Sequence, residues 1–368
     1  MENKQHTPEI AYTEPEDYFP KALRKQHKLG EYADLPHLEK IKAVMLGHAV
    51  GDALGVPVEF CRRSVLDEFP VAEMAGYGAH PVPAGSWSDD TSMSLATLDG
   101  LANETLNYIT IMGNISNWYH TGEYTPTGVT FDVGGTCRAA ILKCDKMVRW
   151  AREGGFYDPN RFFDPLVNSG MRDKYSNGNG SLMRIHPFVL YAHVTNMPLE
   201  EWMLMIQRGS ALTHSHFRSM AGCLIYAFVL MHLLADPTKS AARNGLARAE
   251  CHLRRYPDFS HYSRIFSDHF ADLPRDAIKS SGYVVDTLEA ALWCLLTTDS
   301  YRDCVLKAVN LGEDTDTVAA VAGGLAGALY GHDAIPKEWL DTLQRRDYIE
   351  KMCKRAAIKW KSHTERSV

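Results

Sequence analysis

The sequence lacks several features that would place it in other protein classes. None of its 8 cysteines forms a Cys-x-x-Cys pair, which argues against a zinc ribbon or a redox-active dithiol and indicates reduced thiols. An excess of basic charge is also missing, because 39 Lys and Arg stand against 45 Asp and Glu, giving a net charge of −6. Such a chain has no global positive field for a polyanion, so we expect no nucleic-acid partner.

Long apolar runs and targeting signals are absent as well. We find no stretch that satisfies the ~20 residues needed to cross a bilayer. The N-terminus, MENKQHTPEIAYTEPEDYF, has neither the basic nor the apolar part of a signal peptide. We therefore expect a cytoplasmic protein with no membrane partner. The 45% of hydrophobic residues still provide ample material for a core.

Strand patterns are missing too, because no alternating β-branched segments with hairpin turns occur. Apolar residues instead recur three to four positions apart from Leu38 onward, which predicts helices. Stretches rich in glycine and proline separate the helical blocks at residues 76–86, 121–135, 168–180 and 272–282. We predict an all-α fold. The first 36 residues carry prolines and four aromatic residues without a helical period, and we interpret them as an extended arm.

Two groups of acids occur at predicted helix starts. The first contains Asp89 and Asp90 after Ser88, where helix capping alone is an equally good explanation. The second contains Asp314 and Asp316 before Thr317, between helical stretches predicted at residues 301–311 and 318–330. Four clustered carboxylates repel one another unless a cation neutralises them. Oxygen ligands without His or thiolate favour Mg²⁺ or Mn²⁺ over Zn²⁺, and no EF-hand spacing indicates Ca²⁺.

The helix after the second acid group carries a stripe of small residues, Ala319, Gly323 and Gly327. Glycine inside a helix costs ~0.5 to 1 kcal/mol relative to alanine, so we expect a close helix–helix contact to compensate. That contact would bring the two acid groups together. Because both groups must then share one site, we predict a single helical domain over residues 37–368, preceded by an arm over residues 1–36.

Four further motifs have chemistry that would complete a site, although each has a simpler explanation. Glu59 follows the first helix and is more often solvated, and Asp132 precedes a Gly-Gly turn where it is more often a helix cap. The glycine-rich segment at residues 177–184 resembles an anion-binding loop but lacks the lysine of a Walker motif. His214, in a Thr-His-Ser-His segment, would contact a ligand or cap the next helix.

Taken in order, these motifs resemble the ADP-ribosylglycohydrolase family over residues 38–331. The segments that carry the resemblance are GDALGVPVEF, GSWSDDTSM, FDVGGT, NGNGSLMR, THSH, SGYVVDTLEAALW and LGEDTDTVAAVAGGLAGALYG. The resemblance implies an all-α domain with two Mg²⁺ or Mn²⁺ ions that cleaves the bond between ADP-ribose and a protein side chain. Cys137 departs from the family pattern at a position where threonine is expected, and we predict that this change affects only packing.

The resemblance also assigns roles to residues of this chain. The implied metal ligands are Ser88, Asp89, Asp90, Asp314, Asp316 and Thr317. The implied catalytic residues are Asp132, Glu59 and Asp89, with Asp132 or Glu59 moving protons. The implied substrate-binding residues are Asn179, Gly180, Ser181, His214, Gly282 and Tyr283.

Substrate and partner remain open at this stage. Family members act on ADP-ribosyl-arginine or ADP-ribosyl-serine, and these motifs look closer to the bacterial arginine-directed members. Some members resemble immunity proteins that reverse a toxin's modification and also plug the toxin with an N-terminal extension. Residues 1–36 would suit that role, which makes an inhibitor of an ADP-ribosyltransferase toxin the alternative to a hydrolase. A disordered tail explains the arm equally well, and a regulator of dinitrogen reductase is a third interpretation that leaves it unexplained.

Overall fold

The structure is a computed structural model that describes residues 35, 37–103, 106–155 and 170–366. Within these ranges the regular structure is helical, and the only strand-like pairings are two isolated bridges, Met171 with His214 and Gly178 with Tyr283. The all-α prediction is confirmed. Apart from Leu35, the predicted arm at residues 1–36 lies outside the described residues, so its conformation stays a prediction.

The described residues form fourteen α-helices joined by loops and short 3₁₀ turns. In chain order they are α1 (Leu38–Gly55), α2 (Arg63–Glu68), α3 (Asp89–Leu101), α4 (Tyr108–Thr121), α5 (Gly135–Glu153), α6 (His186–Val194), α7 (Leu199–Ala211), α8 (Phe217–Ala235), α9 (Lys239–Leu253), α10 (Val284–Leu296), α11 (Tyr301–Val309), α12 (Thr315–Tyr330), α13 (Lys337–Thr342) and α14 (Arg346–Arg366). The long loops predicted at residues 76–86 and 121–135 lie between helices, as expected.

Helices α1 and α12 pack backbone against backbone at the centre of the domain. A Cβ atom at Gly51 would lie 2.1 Å from the carbonyl oxygen of Ala319, and one at Gly327 would lie 2.0 Å from that of Ala43. No side chain fits at these positions, so glycine is required by the close approach and not by backbone conformation. The prediction that the α12 stripe is a packing surface is confirmed. Its partner is a matching row on α1: Gly47, Gly51 and Gly55.

Polar side chains cap several helices where the sequence allows them. The Ser88 hydroxyl accepts a hydrogen bond from the Asp90 amide at 3.2 Å, so the predicted N-cap of α3 is confirmed. Asn107 caps α4 and Ser300 caps α11 in the same way. These side chains satisfy amide groups that have no partner inside the helix, which sets where each helix begins.

Among the described residues, two helices are long and apolar enough to cross a membrane by length and composition, contrary to our expectation from the sequence. They are Leu38–Val58 and Phe217–Ala235, with 83% and 72% of the relevant windows buried inside the protein. Core helices of globular proteins pass the same test, because both kinds of helix are apolar all round. In this chain the apolar surfaces of both segments are used mainly for internal packing.

Candidate functional site

The start of α3 is held in place by an acid on α1. Asp52, fully buried, accepts hydrogen bonds from the backbone N–H of Ser88 at 2.9 Å and that of Thr91 at 3.0 Å. The Thr91 hydroxyl donates to the same carboxylate at 2.6 Å. Asp52 therefore fixes the backbone that carries Asp89 and Asp90. We did not predict this role, because Asp52 is part of a motif in which only Glu59 was singled out.

A pair of reciprocal backbone contacts joins the segment after α1 to the segment before α12. The Phe60 amide donates to the Glu313 carbonyl, and the Glu313 amide donates to the Cys61 carbonyl, both at 2.7 Å. Glu313 has a positive φ of 64°, an uncommon conformation for a residue other than glycine. This arrangement places Glu59 beside Asp314, although the two are far apart in sequence.

The acids from the distant segments converge. Carboxylate oxygens of Asp52, Asp90 and Asp316 lie within 4.8 Å of one another, and the same holds for those of Glu59, Asp314 and Asp316. Asp316 belongs to both groups, so these five acids form one continuous cluster. The structure therefore brings the two acid motifs together, as we predicted from the sequence.

A third group within 4.8 Å contains Glu59, Asp132 and His80. His80 Nε2 lies 2.5 Å from Glu59 Oε2, a contact that we did not predict. Asp132 has a φ of 50°, so its backbone is held in the left-handed region next to the cluster. Aspartate tolerates that region better than most residues, and strained backbone is typical of functional sites.

Burial and mutual repulsion favour the protonated forms of these acids when no cation is bound. Burial and the neighbouring Asp132 carboxylate raise the pKa of Glu59 to about 9. Burial also raises the pKa of Asp316 and of Asp90 well above the ordinary range, and nearby carboxylates add to both shifts. For Asp89 the causes of the raised pKa are burial and then the Asp132 charge. Ionising these carboxyl groups without a cation therefore costs free energy, and a bound cation would lower that cost.

Two buried oxygen atoms support a cation at this place. Asp90 Oδ2 and Asp316 Oδ2 have no hydrogen-bond partner among the described residues. The other oxygen of each carboxylate has a hydrogen-bond partner. The Thr317 hydroxyl lies 3.3 Å from Asp90 Oδ1, and the Thr317 amide donates to Asp316 Oδ1 at 2.8 Å. Unpaired buried carboxylate oxygens are rare in stable proteins, so the donor set fits a hard divalent ion.

The second acid motif differs from our prediction in one respect. We predicted that the helix after the second acid motif begins at residue 318, but α12 begins at Thr315, with Asp314 at its N-cap and Asp316 within the first turn. Helix α11 also ends earlier than predicted, at Val309. The helical start is favoured because acids in a first turn interact well with the helix dipole, and α12 extends toward the cluster by one further turn.

The glycine-rich segment lies directly against the acid cluster. The Asn179 side-chain amide donates to Asp314 Oδ2 at 2.6 Å and to the Thr287 hydroxyl at 3.0 Å, while its backbone amide donates to the Gly282 carbonyl. A Cβ atom at Gly282 would lie 3.0 Å from Asp314 Oδ2. Of the residues predicted to bind substrate, Asn179 and Gly282 thus lie next to Asp314. Tyr283 borders the same segment through its bridge to Gly178.

Other predicted substrate residues lie beneath this segment. Ser181 is fully buried, and its hydroxyl accepts from Ser210 at 2.9 Å, so this residue packs inside the protein beneath the segment. His214 is also buried, with its ring under Gly180, and burial lowers its pKa to about 3, which keeps it neutral. Cys137 is buried against Gly180 as well, in agreement with a packing role.

Comparison with known proteins gives a consistent result. The sequence profile of the ADP-ribosylglycohydrolase family matches residues 33–366. An ADP-ribosylarginine hydrolase Tri1 from Pseudomonas putida (strain GB-1) is 35% identical over 320 residues, covering 86% of this chain and 77% of the relative. An ADP-ribosyl-[dinitrogen reductase] glycohydrolase from Rhodospirillum rubrum is 32% identical over 311 residues, covering 84% and 91%.

A solved structure supports the same assignment. It is described as an ADP-ribosylglycohydrolase-related protein complex and superimposes with a TM-score of 0.67 at 30% sequence identity. The alignment covers 89% of this chain and 99% of the other. Both the helical architecture and the sequence that builds it are therefore shared.

Proposed function

The chain belongs to the ADP-ribosylglycohydrolase family and is a hydrolase, and from this premise we propose that it releases ADP-ribose from modified arginine side chains of proteins. The observation that carries the proposal is the convergence of Asp90, Asp316 and Glu59 in a buried acid cluster beside the glycine-rich segment. Two relatives at 35% and 32% identity, from Pseudomonas putida and Serratia proteamaculans (strain 568), are named ADP-ribosylarginine hydrolase Tri1. That shared name favours arginine over serine as the modified residue.

The acid cluster would hold two Mg²⁺ or Mn²⁺ ions. The proposed ligands are the oxygen donors of the two helix starts: Ser88, Asp89, Asp90, Asp314, Asp316 and Thr317. When bound, such ions supply Lewis acidity and lower the pKa of coordinated water. The unpaired buried oxygens of Asp90 and Asp316 support this assignment because they otherwise carry an unmet electrostatic cost.

The proton transfers would fall to the acids at the edge of the cluster. Hydrolysis breaks the bond between the anomeric carbon and the guanidino nitrogen, and water supplies the new hydroxyl group. We assign Asp132 or Glu59 to accept the water proton and to protonate the leaving nitrogen, with Asp89 orienting the reacting groups. The contact with His80 Nε2 gives the Glu59 carboxyl group a hydrogen-bond partner within the site.

The glycine-rich segment would bind the ADP-ribose part of the substrate. Backbone amides around Gly180 suit a diphosphate, because glycine has no side chain to keep an anion from the backbone. The buried Ser181 would support this backbone from below. Asn179 and Gly282 would lie beside the ribose next to Asp314, with Tyr283 further along. His214 would support the loop from below.

The decisive experiment measures ADP-ribose release from ADP-ribosyl-arginine and ADP-ribosyl-serine proteins with Mg²⁺, Mn²⁺ or a chelator. We expect release from the arginine-linked protein, loss with chelator, and loss in Asp89→Ala and Asp314→Ala. Asp333→Ala is the matched control, since Asp333 is fully exposed beyond α12. Full activity in either cluster variant would refute the metal assignment, and release from the serine-linked protein alone would refute arginine specificity.

A second function is favoured by the arm. The family match begins at residue 33, so most of residues 1–36 precede it, and their aromatic residues are suitable anchors for a partner's groove. We propose that the arm binds an ADP-ribosyltransferase toxin in the cytoplasm, which would make the protein an immunity factor. Deleting residues 1–36 should abolish toxin binding and preserve hydrolysis, whereas unchanged toxin binding would refute the arm's role.

A further inference from the structure

Three rings line one edge of the acid cluster, and we call Phe60, His80 and Phe131 the aromatic wall. Ring centroids of Phe60 and His80 are 6.5 Å apart, and those of His80 and Phe131 are 5.1 Å apart. Phe60 directly follows Glu59, and Phe131 directly precedes Asp132. Each phenylalanine of the wall is therefore a sequence neighbour of a carboxyl group that we assign to proton transfer.

Folding alone does not explain Phe60. Its side chain is 72% exposed, so burial of the ring contributes little to the core. Its φ of 63° lies in the left-handed region, where a residue with a Cβ costs roughly 1 to 2 kcal/mol relative to glycine. The hydrogen bond that the Phe60 amide donates to the Glu313 carbonyl needs no aromatic ring. Phe60 thus exposes a large apolar ring beside buried acids, although the ring adds little to the stability of the fold.

Aromatic faces next to carboxylates are suited to a planar cation. A guanidinium group stacks on a ring and at the same time donates hydrogen bonds to a carboxylate, whereas a serine hydroxyl can do neither with comparable strength. Oxygen atoms of Glu59 and Asp132 lie within 4.8 Å of a His80 ring nitrogen, so hydrogen-bond acceptors are adjacent to the rings. A glycosylated guanidinium group remains planar and positively charged and would match both features.

We propose that the aromatic wall binds the guanidinium group of the ADP-ribosylated arginine and that Phe60 thereby discriminates arginine-linked from serine-linked substrate. This inference rests on the proposed hydrolase function and names the part of the site that selects the modified residue. The bound guanidinium group would lie against the Phe60 ring and cover its exposed face.

The test compares side chains that separate aromatic from apolar character at position 60. Phe60→Ala and Phe60→Leu remove the π face, and Phe60→Trp retains it. The matched control is Phe69→Ala, because Phe69 is 69% exposed, follows α2 and is not among the rings near His80. Each variant is assayed with Mg²⁺ for kcat and KM on ADP-ribosyl-arginine and on ADP-ribosyl-serine, and for the Kd of ADP-ribose.

We expect Phe60→Ala and Phe60→Leu to lower kcat/KM for the arginine-linked substrate roughly two- to tenfold, which corresponds to one cation–π contact. Phe60→Trp should retain more of this kcat/KM than Phe60→Leu, Phe69→Ala should match the parent, and the Kd of ADP-ribose should be unchanged in all variants. Activity of Phe60→Leu equal to the parent would overturn the proposal. So would equal losses for arginine-linked substrate and for ADP-ribose.

A separate outcome distinguishes failure of the hydrolase function from failure of the wall. If the parent protein releases no ADP-ribose from either substrate, the proposed function is wrong. The wall is then judged by binding alone, using the Kd of ADP-ribosyl-arginine measured by titration calorimetry. Weaker binding in Phe60→Leu but not in Phe69→Ala would still support the wall, and identical Kd values would refute it.

Discussion

Asp52 binds Thr91 through one carboxylate oxygen that accepts both the backbone N–H, at 3.0 Å, and the side-chain hydroxyl, at 2.6 Å. The contact joins the C-terminal part of α1 to the first turn of α3. Because Asp52 also accepts the Ser88 amide, a single buried carboxylate organises the segment that carries three proposed metal ligands. Asp52 is thus a positioning residue as well as a member of the acid cluster.

Graded substitutions at this contact should separate positioning from folding. Thr91→Val removes only the hydroxyl and should cost about 1 to 2 kcal/mol of unfolding free energy with most activity retained. Asp52→Asn places an amide N–H against backbone N–H donors and should reduce kcat strongly. Denaturant unfolding and the release assay report the two effects. A Thr91→Val protein without activity, or an Asp52→Asn protein with full activity, would contradict the assignment.

Removing one charge from the acid cluster should have opposite effects with and without metal. Burial and then the Glu59 and Asp314 charges disfavour ionisation of Asp316, and Asp316→Asn removes this ionisable group, so we expect the metal-free protein to be at least as heat-stable as the parent. Metal affinity should fall by more than the 10- to 100-fold typical of outer-shell changes. Thermal unfolding with chelator and with Mg²⁺ measures both. An Asp333→Asn control should change neither, and unchanged metal stabilisation of Asp316→Asn would exclude this residue as a ligand.

The raised pKa of Glu59 predicts how stability depends on pH. Because this pKa, about 9, lies above its value of 4.5 in the unfolded chain, the folded state retains a proton that the unfolded state has lost between these values. The stabilisation is present below pH 4.5 and is lost as pH rises toward 9. Without metal, unfolding free energy should fall with a slope of about 1.4 kcal/mol per pH unit from this group.

The useful window for that measurement is pH 6.5 to 8. Burial lowers the pKa of the His48 ring to about 3. Below pH 6.5 this ring makes stability rise with pH, which would mask the contribution of Glu59. Glu59→Gln should flatten the slope in this window, and Mg²⁺ should reverse it because metal binding displaces protons. A slope that Glu59→Gln leaves unchanged would show that other groups titrate.

The contact between α1 and α12 predicts opposite effects for two glycine substitutions. Gly51→Ala places a methyl group 2.1 Å from the Ala319 carbonyl oxygen, so the helices must separate. We expect a loss of several kcal/mol and of metal binding, since overpacking alone costs about 1 to 3 kcal/mol. Gly113→Ala, on the exposed face of α4 with nothing within 4 Å, should instead stabilise by about 0.5 to 1 kcal/mol. Equal effects would refute the contact.

Much of the fold was predictable because its signals are local. Helical periodicity from Leu38 onward and the Ser88 cap both depend on neighbours within one or two turns. The meeting of the acid motifs was also predictable, because clustered carboxylates on two helix starts require a common cation. Their side chains lie where that argument placed them, with Asp314 at a helix N-cap instead of inside a loop.

The remaining features depend on tertiary contacts that have no local signal. His80 reaches Glu59 because its loop is held by the Ala79 amide, which donates to the Pro57 carbonyl at 2.8 Å. In the sequence, Asp52 is an isolated acid in an apolar helix. Its role is apparent only in the folded protein, where the start of α3 packs on it. The glycine row on α1 was missed because Gly47, Gly51 and Gly55 pack against the backbone of α12, which is distant in sequence.

The pairing of α1 with α12 also determines when the acid cluster comes into existence during protein synthesis. The Thr315 hydroxyl donates to the Gly55 carbonyl at 2.8 Å, and these residues are 260 positions apart. A nascent chain that has emerged only through α11 contains Glu59 but neither Asp314 nor Asp316. The complete cluster therefore forms late, after closure of a very long loop, and such non-local closure is a slow step in folding. The acid cluster is thus complete only when α12 has been synthesised.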